Sequence, residues 1–179
     1  WTEPDAPLDD ASRHWILPPV HARLQQGPDE FLAELRSAAA MFINFTGIDY
    51  DSDDDAGTKL DVFVRRVQAV IGRYEGFLLQ ITMGDKGSYL YCSFGAPLAH
   101  EDDAARAAAA ALELKALPDE LPFLEPLQIG ISYGLTHSGA YGSPRRRTYA
   151  VMGAQVNISA RLMTQAQPGQ ILVSEPIAA

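Results

Sequence analysis

An α+β fold with a ferredoxin-like βαββαβ core, extended by an appended hairpin, helix and strand, is the architecture this sequence predicts. Three observations predict it. Apolar residues alternate along the chain between strand-length runs and helical stripes in the order β-α-β-β-α-β. A hairpin turn signal joins the second and third of those strands. The length of 179 residues, 47% of them apolar and 21% charged, suits one globular unit with a sizeable core.

Residues 1–37 read as a leading segment, not a domain: a Pro- and Asp-rich start, then Trp15-Ile-Leu-Pro-Pro-Val20, then a short helical stretch over 28–36. Residues 38–46, Ala-Ala-Ala-Met-Phe-Ile-Asn-Phe-Thr, form a nearly continuous apolar run, as expected of a strand covered on both faces. The acidic cluster Asp49-Tyr-Asp-Ser-Asp-Asp-Asp55 follows. It offers oxygen ligands for Ca²⁺ but lacks the Gly and Glu that an EF-hand loop carries, so a solvated loop is expected. Leu60, Phe63, Val64, Val67, Ile71 and Tyr74 then draw one stripe on a helix that packs on a sheet, with Gly76 placed to end it.

Residues 77–83 and 88–94 read as two strands joined by Gly84-Asp-Lys-Gly87. The alanine-rich stretch 101–115 is helical, with acids at its start and Lys115 near its end complementing the helix dipole. Pro118, Pro122 and Pro126 enforce a loop after it. Residues 127–133 and 135–141 read as a further strand pair, 153–165 as a helix, and 171–173 as a last strand after the turn Pro168-Gly169. All helices are placed on one face of the sheet.

Lys plus Arg number 14 against 23 Asp plus Glu, a net charge of −9. A surface of that sign repels a phosphate backbone, and no RNP-type aromatic pattern is present, so nucleic-acid binding is not expected. The single cysteine, Cys92, lies in an apolar run; it excludes an intrachain disulfide and reads as a buried structural thiol in a reducing, cytoplasmic setting. No apolar run reaches the ~18–20 residues of a membrane span, and the start has no secretory signal pattern. With no initiator Met and a stop just after a strand-like run, the chain is expected to be a C-terminally truncated fragment.

Chemistry concentrates in residues 142–163. On a helix starting near Gly153, Asn157 and Arg161 are i, i+4 neighbours, so an amide and a guanidinium project side by side. Such a pair can hold phosphate and sugar oxygens: Arg offers a planar, permanently charged fork, and Asn a neutral donor and acceptor for a ribose. Taken by spacing alone, the pair is equally a plain solvated helix face.

The wider pattern shifts the balance toward the first. Gly142-Ser-Pro-Arg, Tyr149-Ala-Val-Met-Gly153, Val156-Asn-Ile-Ser-Ala-Arg-Leu162 and Pro168-Gly-Gln-Ile-Leu-Val-Ser-Glu175 resemble the C-terminal half of class III adenylyl and guanylyl cyclase catalytic domains. Phe94-Gly-Ala-Pro97 and Ile129-Gly-Ile-Ser-Tyr-Gly134 extend the resemblance over about residues 38–175, within a cyclase homology domain of 38–179. Glu34-Leu-Arg, Phe42-Ile-Asn44, Met83-Gly-Asp-Lys-Gly87 and Ala160-Arg-Leu-Met163 look most like the second cyclase domain of bicarbonate-regulated soluble adenylyl cyclases, in which two unlike domains form one working site.

The resemblance implies that Asn157 orients the ribose and that Arg161 stabilises the transition state on the reacting phosphate. It places Asn44 where the family has the first of two metal-binding aspartates. The second falls on Asp85 when counted forward from Gly76, or on Ser88 when counted back from Phe94-Gly95; Ser88 keeps the strand in register. The adenine-reading pair maps to Gln80, with Ile81 as the alternative, and to Ala154. The family's triphosphate-gripping Lys falls beyond residue 179.

With an amide in place of the first carboxylate, the two-ion clamp is incomplete here. The expectation is a second-type half-site that lends Asn157 and Arg161 to a partner cyclase domain holding Mg²⁺ or Mn²⁺, the pair converting ATP to cyclic AMP and pyrophosphate. Alone it is expected to be nearly inactive. The alternative is a catalytically inactive pseudo-cyclase that regulates or dimerises, which Gln80 and Ala154 favour. Arg145-Arg-Arg147 is expected in an exposed loop.

Overall fold

The computed structural model describes residues 12–26, 33–84, 87–143 and 146–178. Its spine is β1 (Glu34–Phe45), which pairs antiparallel with β3 (Ser88–Phe94) on one side and β4 (Gln128–Ser143) on the other. β2 (Phe77–Thr82) lies outside β3 and β5 (Arg146–Met152) outside β4, giving the order β2-β3-β1-β4-β5. β6 (Ile171–Val173) runs parallel to β4 along Ile129–Ile131. The inner four strands keep the antiparallel order 4-1-3-2 that the βαββαβ core requires.

The continuous apolar run of β1 is explained by burial on both faces. Ala39, Met41, Ile43 and Phe45 pack against α2 (Ala56–Arg73) and α3 (Asp103–Leu114), while Ala38, Ala40 and Phe42 face the opposite side, where Val156, Ala160 and Met163 of α5 (Ala154–Gln165) cover them. The two core helices share one face as expected. The appended helix α5 does not: it occupies the other face, because the alternation of β1 leaves a second apolar surface to cover.

Four further expectations are corrected. Glu34, Leu35 and Arg36, read as the end of a short helix in the leading segment, are the first residues of β1; residues 28–32 of that stretch lie outside the described residues. Pairing with Ser138, His137 and Thr136 across the sheet overrides their helical tendency. The expected strand pair 127–133 and 135–141 is a single strand of 16 residues, since Gly134 stays in the ladder opposite Ala38. The chain reverses instead between Ser143 and Arg146, which pair, so Arg146 and Arg147 are exposed strand residues and not loop residues; Arg145 lies outside the described residues. Pro118 does not enforce a loop but enters the first turn of a short helix, α4 (Leu117–Glu120), where its missing N–H costs nothing.

The leading segment contains a 3-10 turn at Ser12–Trp15 and a helix α1 (Pro18–Gln26), with Val20 and His21 buried. Pro18-Pro19 is the N-terminal helix signal that the expectation passed over. A fourth short helix, α6 (Glu175–Ala178), follows β6.

Candidate functional site

The site is built from the seat of α5. Ser159 is fully buried, and its Oγ lies 2.8 Å from the carbonyl oxygens of both Ala40 and Gly130, which share its one proton. A Cβ on Gly130 would fall 2.2 Å from the Met163 nitrogen and 2.3 Å from the Ser159 oxygen, so the helix backbone rests directly on β4. Asn157 and Arg161 stand two residues before and after Ser159, each about 160° around the helix from the seat at ~100° per residue. Both are exposed, and none of the described residues bonds or pairs with either side chain. They therefore point away from their own sheet.

Beside α5, β2, β3 and β5 form an open cleft of about 470 Å³. Its floor is aromatic: Phe42 stacks on Tyr91 with ring centres 4.6 Å apart and planes 9° from parallel, and Tyr89 tilts against Phe42 at 5.7 Å. The Tyr91 hydroxyl donates to the Val151 carbonyl at 3.0 Å, and burial pushes its pKa well up. Burial likewise raises that of Tyr149, which lines the cleft wall. Gln80 lines the cleft because β2 carries a bulge at Leu79 that brings Gln80 opposite Tyr91. Its Nε2 donates to Thr82 Oγ1 at 3.0 Å. Ala154, the first residue of α5, is exposed, and Val156 lines the wall.

At the far end of the same face, the Asn44 side chain meets the backbone of Ser88 on the adjacent strand. Asn44 pairs with Tyr89 and Phe45 with Ser88, and Asn44 Nδ2 donates to the Ser88 carbonyl at 3.3 Å. An amide already directed at a backbone oxygen, with Ser and not Asp at position 88, does not fit a pair of hard divalent ions, which select carboxylate oxygens. Asp85 lies outside the described residues. In the acidic loop, Asp49 accepts from the Asp51 and Ser52 nitrogens at 3.0 and 3.1 Å, and these bonds with the Ser52 hydroxyl hold its pKa low. Asp53 accepts from the Asp55 nitrogen and pairs with Lys59 at 2.5 Å. Those carboxylates organise the loop and the start of α2, as a solvated loop requires.

Comparison with known proteins names this arrangement. The profile of the adenylate and guanylate cyclase catalytic domain family matches residues 57–179. The chain belongs to that family. Human adenylate cyclase type 10 is 24% identical over 163 residues, which make up 90% of this chain and 10% of the relative, so the chain spans about a tenth of that protein's length. Among solved structures, the guanylyl cyclase Cya2 superposes with a TM-score of 0.71 at 26% identity, over 81% of this chain and 78% of its own. The adenylyl cyclase CyaB from P. aeruginosa superposes with a TM-score of 0.73 at 19% identity, over 82% and 80%, and shares the fold.

In this cyclase domain the structure thus brings Asn157 and Arg161 together on one exposed turn, sets Gln80 in the neighbouring cleft, and joins Asn44 to Ser88. Ala154 presents only a methyl group. Sequence reasoning missed the residues that hold these in place. Ser159 was legible, since a small polar residue midway between Asn157 and Arg161 must face the sheet. Gly130, inside the alternating run Ile129-Gly-Ile131, signals close backbone approach. The stacked pair Phe42 and Tyr91 had no local signal, because it forms across the β1–β3 register.

Among the described residues no helix is long and apolar enough to cross a membrane.

Proposed function

We propose that this domain is the second-type half of a two-domain nucleotidyl cyclase, lending Asn157 and Arg161 to a site whose two ions are held by a partner cyclase domain. The observation that carries this reading is directional. Asn157 and Arg161 face away from their own sheet, on an anchored helix, while the Asn44 end of the same chain offers no carboxylate pair. A nucleotide gripped by this pair lies against a second domain.

The reaction is intramolecular phosphoryl transfer from ATP. The 3′-oxygen forms a bond to the α-phosphorus, the bond from that phosphorus to the bridging oxygen breaks, and pyrophosphate leaves. The 3′-hydroxyl proton passes to the partner's half of the site. Asn157 fixes the ribose so that the 3′-oxygen is in line, and Arg161 meets the charge that grows on the phosphate oxygens. When bound on the partner's carboxylates, Mg²⁺ or Mn²⁺ would supply charge neutralisation at the triphosphate and a more acidic 3′-hydroxyl.

A regulatory pseudo-cyclase is the second reading, favoured by the methyl group of Ala154 where a polar reader of the base is expected. Mixing separates the two. The chain is titrated into a metal-bearing cyclase domain whose own Asn and Arg of this motif have been replaced, so that the partner's homodimer is silent. Cyclic AMP formed only on mixing supports the half-site. A complex that assembles and makes none establishes the regulatory reading.

A further inference from the structure

The cleft beside α5 shares a wall with a second hollow of about 500 Å³: Leu79, Thr148 and Tyr149 line both, and the second is also lined by Leu17, Val20 and Leu24 of the leading segment. Leu17, Val20, His21 and Leu24 fall at i, i+3, i+4 and i+7, one stripe of a short helix laid on the domain. Val20 and His21 are buried. Arg23, next along α1, reaches the Pro97 carbonyl and Glu34, the same two partners that Arg36 takes from the α5 side of β1. The helix therefore stands at the rim of the cleft, on the face that α5 covers.

Its hold there is weak. Arg23 donates to the Pro97 carbonyl at 3.5 Å and pairs with Glu34 at 3.6 Å, whereas Arg36 holds these partners at 3.1 and 2.5 Å, so neither is left unpaired when Arg23 departs. His21 is 8% exposed, and its Nε2 has no hydrogen-bond partner among the described residues. A buried polar atom left unpaired opposes the burial of the helix that carries it. Trp15, which also lines the hollow, stays 90% exposed. Nine residues are too few to hold a helix in water on their own, so α1 is a helix only while it is seated.

We propose that α1 is a releasable strap, which occupies part of the face on which the second cyclase domain docks and leaves when that domain binds. The inference rests on the half-site reading, under which a nucleotide held by Asn157 and Arg161 is covered from the open side of this face. A domain that covers the cleft meets its wall at Leu79 and Tyr149, and both share a hollow with α1. The two occupants compete. The apparent affinity for the second domain is then the intrinsic one reduced by the fraction of chains whose strap is open.

The experiment titrates the full chain with a metal-bearing cyclase domain and reads the dissociation constant by sedimentation. Val20→Asp puts a charge in the buried stripe, and Arg23→Glu sets a like charge beside Glu34 without touching the core. Each is expected to tighten binding by about tenfold, while His21→Leu, which removes the unpaired nitrogen, is expected to weaken it by about fivefold. Trypsin gives a second readout on the unsubstituted chain: cutting after Arg23 should speed up several-fold when the second domain is added. Variants that leave an observed dissociation constant unchanged overturn this inference alone. Weaker binding by Arg23→Glu, or slower cutting after Arg23 in the complex, overturns it by making α1 part of the docking surface. If the parent and every variant bind no cyclase domain, the half-site reading falls and the strap falls with it.

Discussion

One face of this sheet carries the two regions that the proposed half-site reading tells apart, and their side chains are disposed differently. At the α5 end, a buried serine and a glycine lock the helix to β1 and β4, and two exposed side chains stand free to grip a ligand. At the Asn44 end, the side chain that could grip a ligand donates to the Ser88 carbonyl, and among the described residues no carboxylate stands beside it. The backbone scaffold is present at both ends, while exposed polar side chains unengaged by the described residues stand at only one. Folding places constraints on Gly130, Ser159 and the β1–β3 register, but none on whether residue 44 is an amide or an acid. The fold that presents Asn157 and Arg161 therefore does not depend on a carboxylate at position 44.

The comparison breaks most sharply at Arg161. In the assembled pair, Arg161→Ala is expected to lower kcat by ~10²–10³-fold, or about 3–4 kcal/mol, because a preorganised charge acts mainly on the transition state. ATP binding should weaken much less. Asn157→Ala acts in the same direction through a misplaced ribose. Steady-state kinetics with the silent partner domain checks both, and an Arg161→Ala pair that turns over at the unsubstituted rate removes the α5 end from catalysis.

The seat of α5 comes next in size. Gly130→Ala forces a methyl group into backbone that is already in contact, and overpacking of this kind costs about 1–3 kcal/mol or more. Ser159→Ala leaves two buried carbonyls without their shared donor, for about 1–3 kcal/mol. Urea denaturation measures both losses. Each is expected to lower the activity of the pair through the position of Arg161, and a variant as stable as the parent contradicts the seat described.

An alkaline pH tests the strand that links the two ends. Burial pushes the Cys92 thiol and the Tyr91 hydroxyl up, so both stay protonated in the fold while the unfolded chain ionises at ordinary values. Stability from these groups is complete below the unfolded thiol value of about 8.5 and declines as pH rises above it, by up to about 1.4 kcal/mol per pH unit for each group ionised. Urea midpoints should fall between pH 8 and 10, and fall less in Cys92→Ala relative to its own value at pH 8. A midpoint that is flat over that range overturns this account of β3.

Much of this was legible in the sequence, and the misses share a cause. Helical spacing alone placed Asn157 and Arg161 together, and the hydrophobic pattern of residues 38–46 announced a strand buried on both faces. What local pattern did not carry was long-range pairing. Gly134 looks like a break, yet Ala38 opposite it holds it in a ladder; Leu35 and Arg36 look helical, yet His137 and Thr136 extend them. The same limit hid the Phe42–Tyr91 stack and the second face that α5 covers. At the metal positions the residue types were readable, but only the structure shows the Asn44 amide already bonded to its neighbour.

The smallest effect is expected at that neighbour. Asn44→Ala removes one partly exposed hydrogen bond at a strand end, worth about 0.5–1.5 kcal/mol at most, and leaves Ser88 paired through the β1–β3 ladder. On the proposed half-site reading, turnover of the assembled pair should stay within about twofold of the parent, against the hundredfold or more lost at Arg161. Asn44→Asp sharpens the contrast. It supplies one carboxylate where Ser88 offers no second, and it sets that charge against the Ser88 carbonyl, so it should lower stability slightly without creating tight Mn²⁺ binding in the isolated chain. Manganese titration followed by the broadening of resonances near residue 44 reads this directly. Site-specific broadening in the unsubstituted chain, or a tenfold loss of turnover in Asn44→Ala, would place a working metal centre at this end and erase the difference between the two.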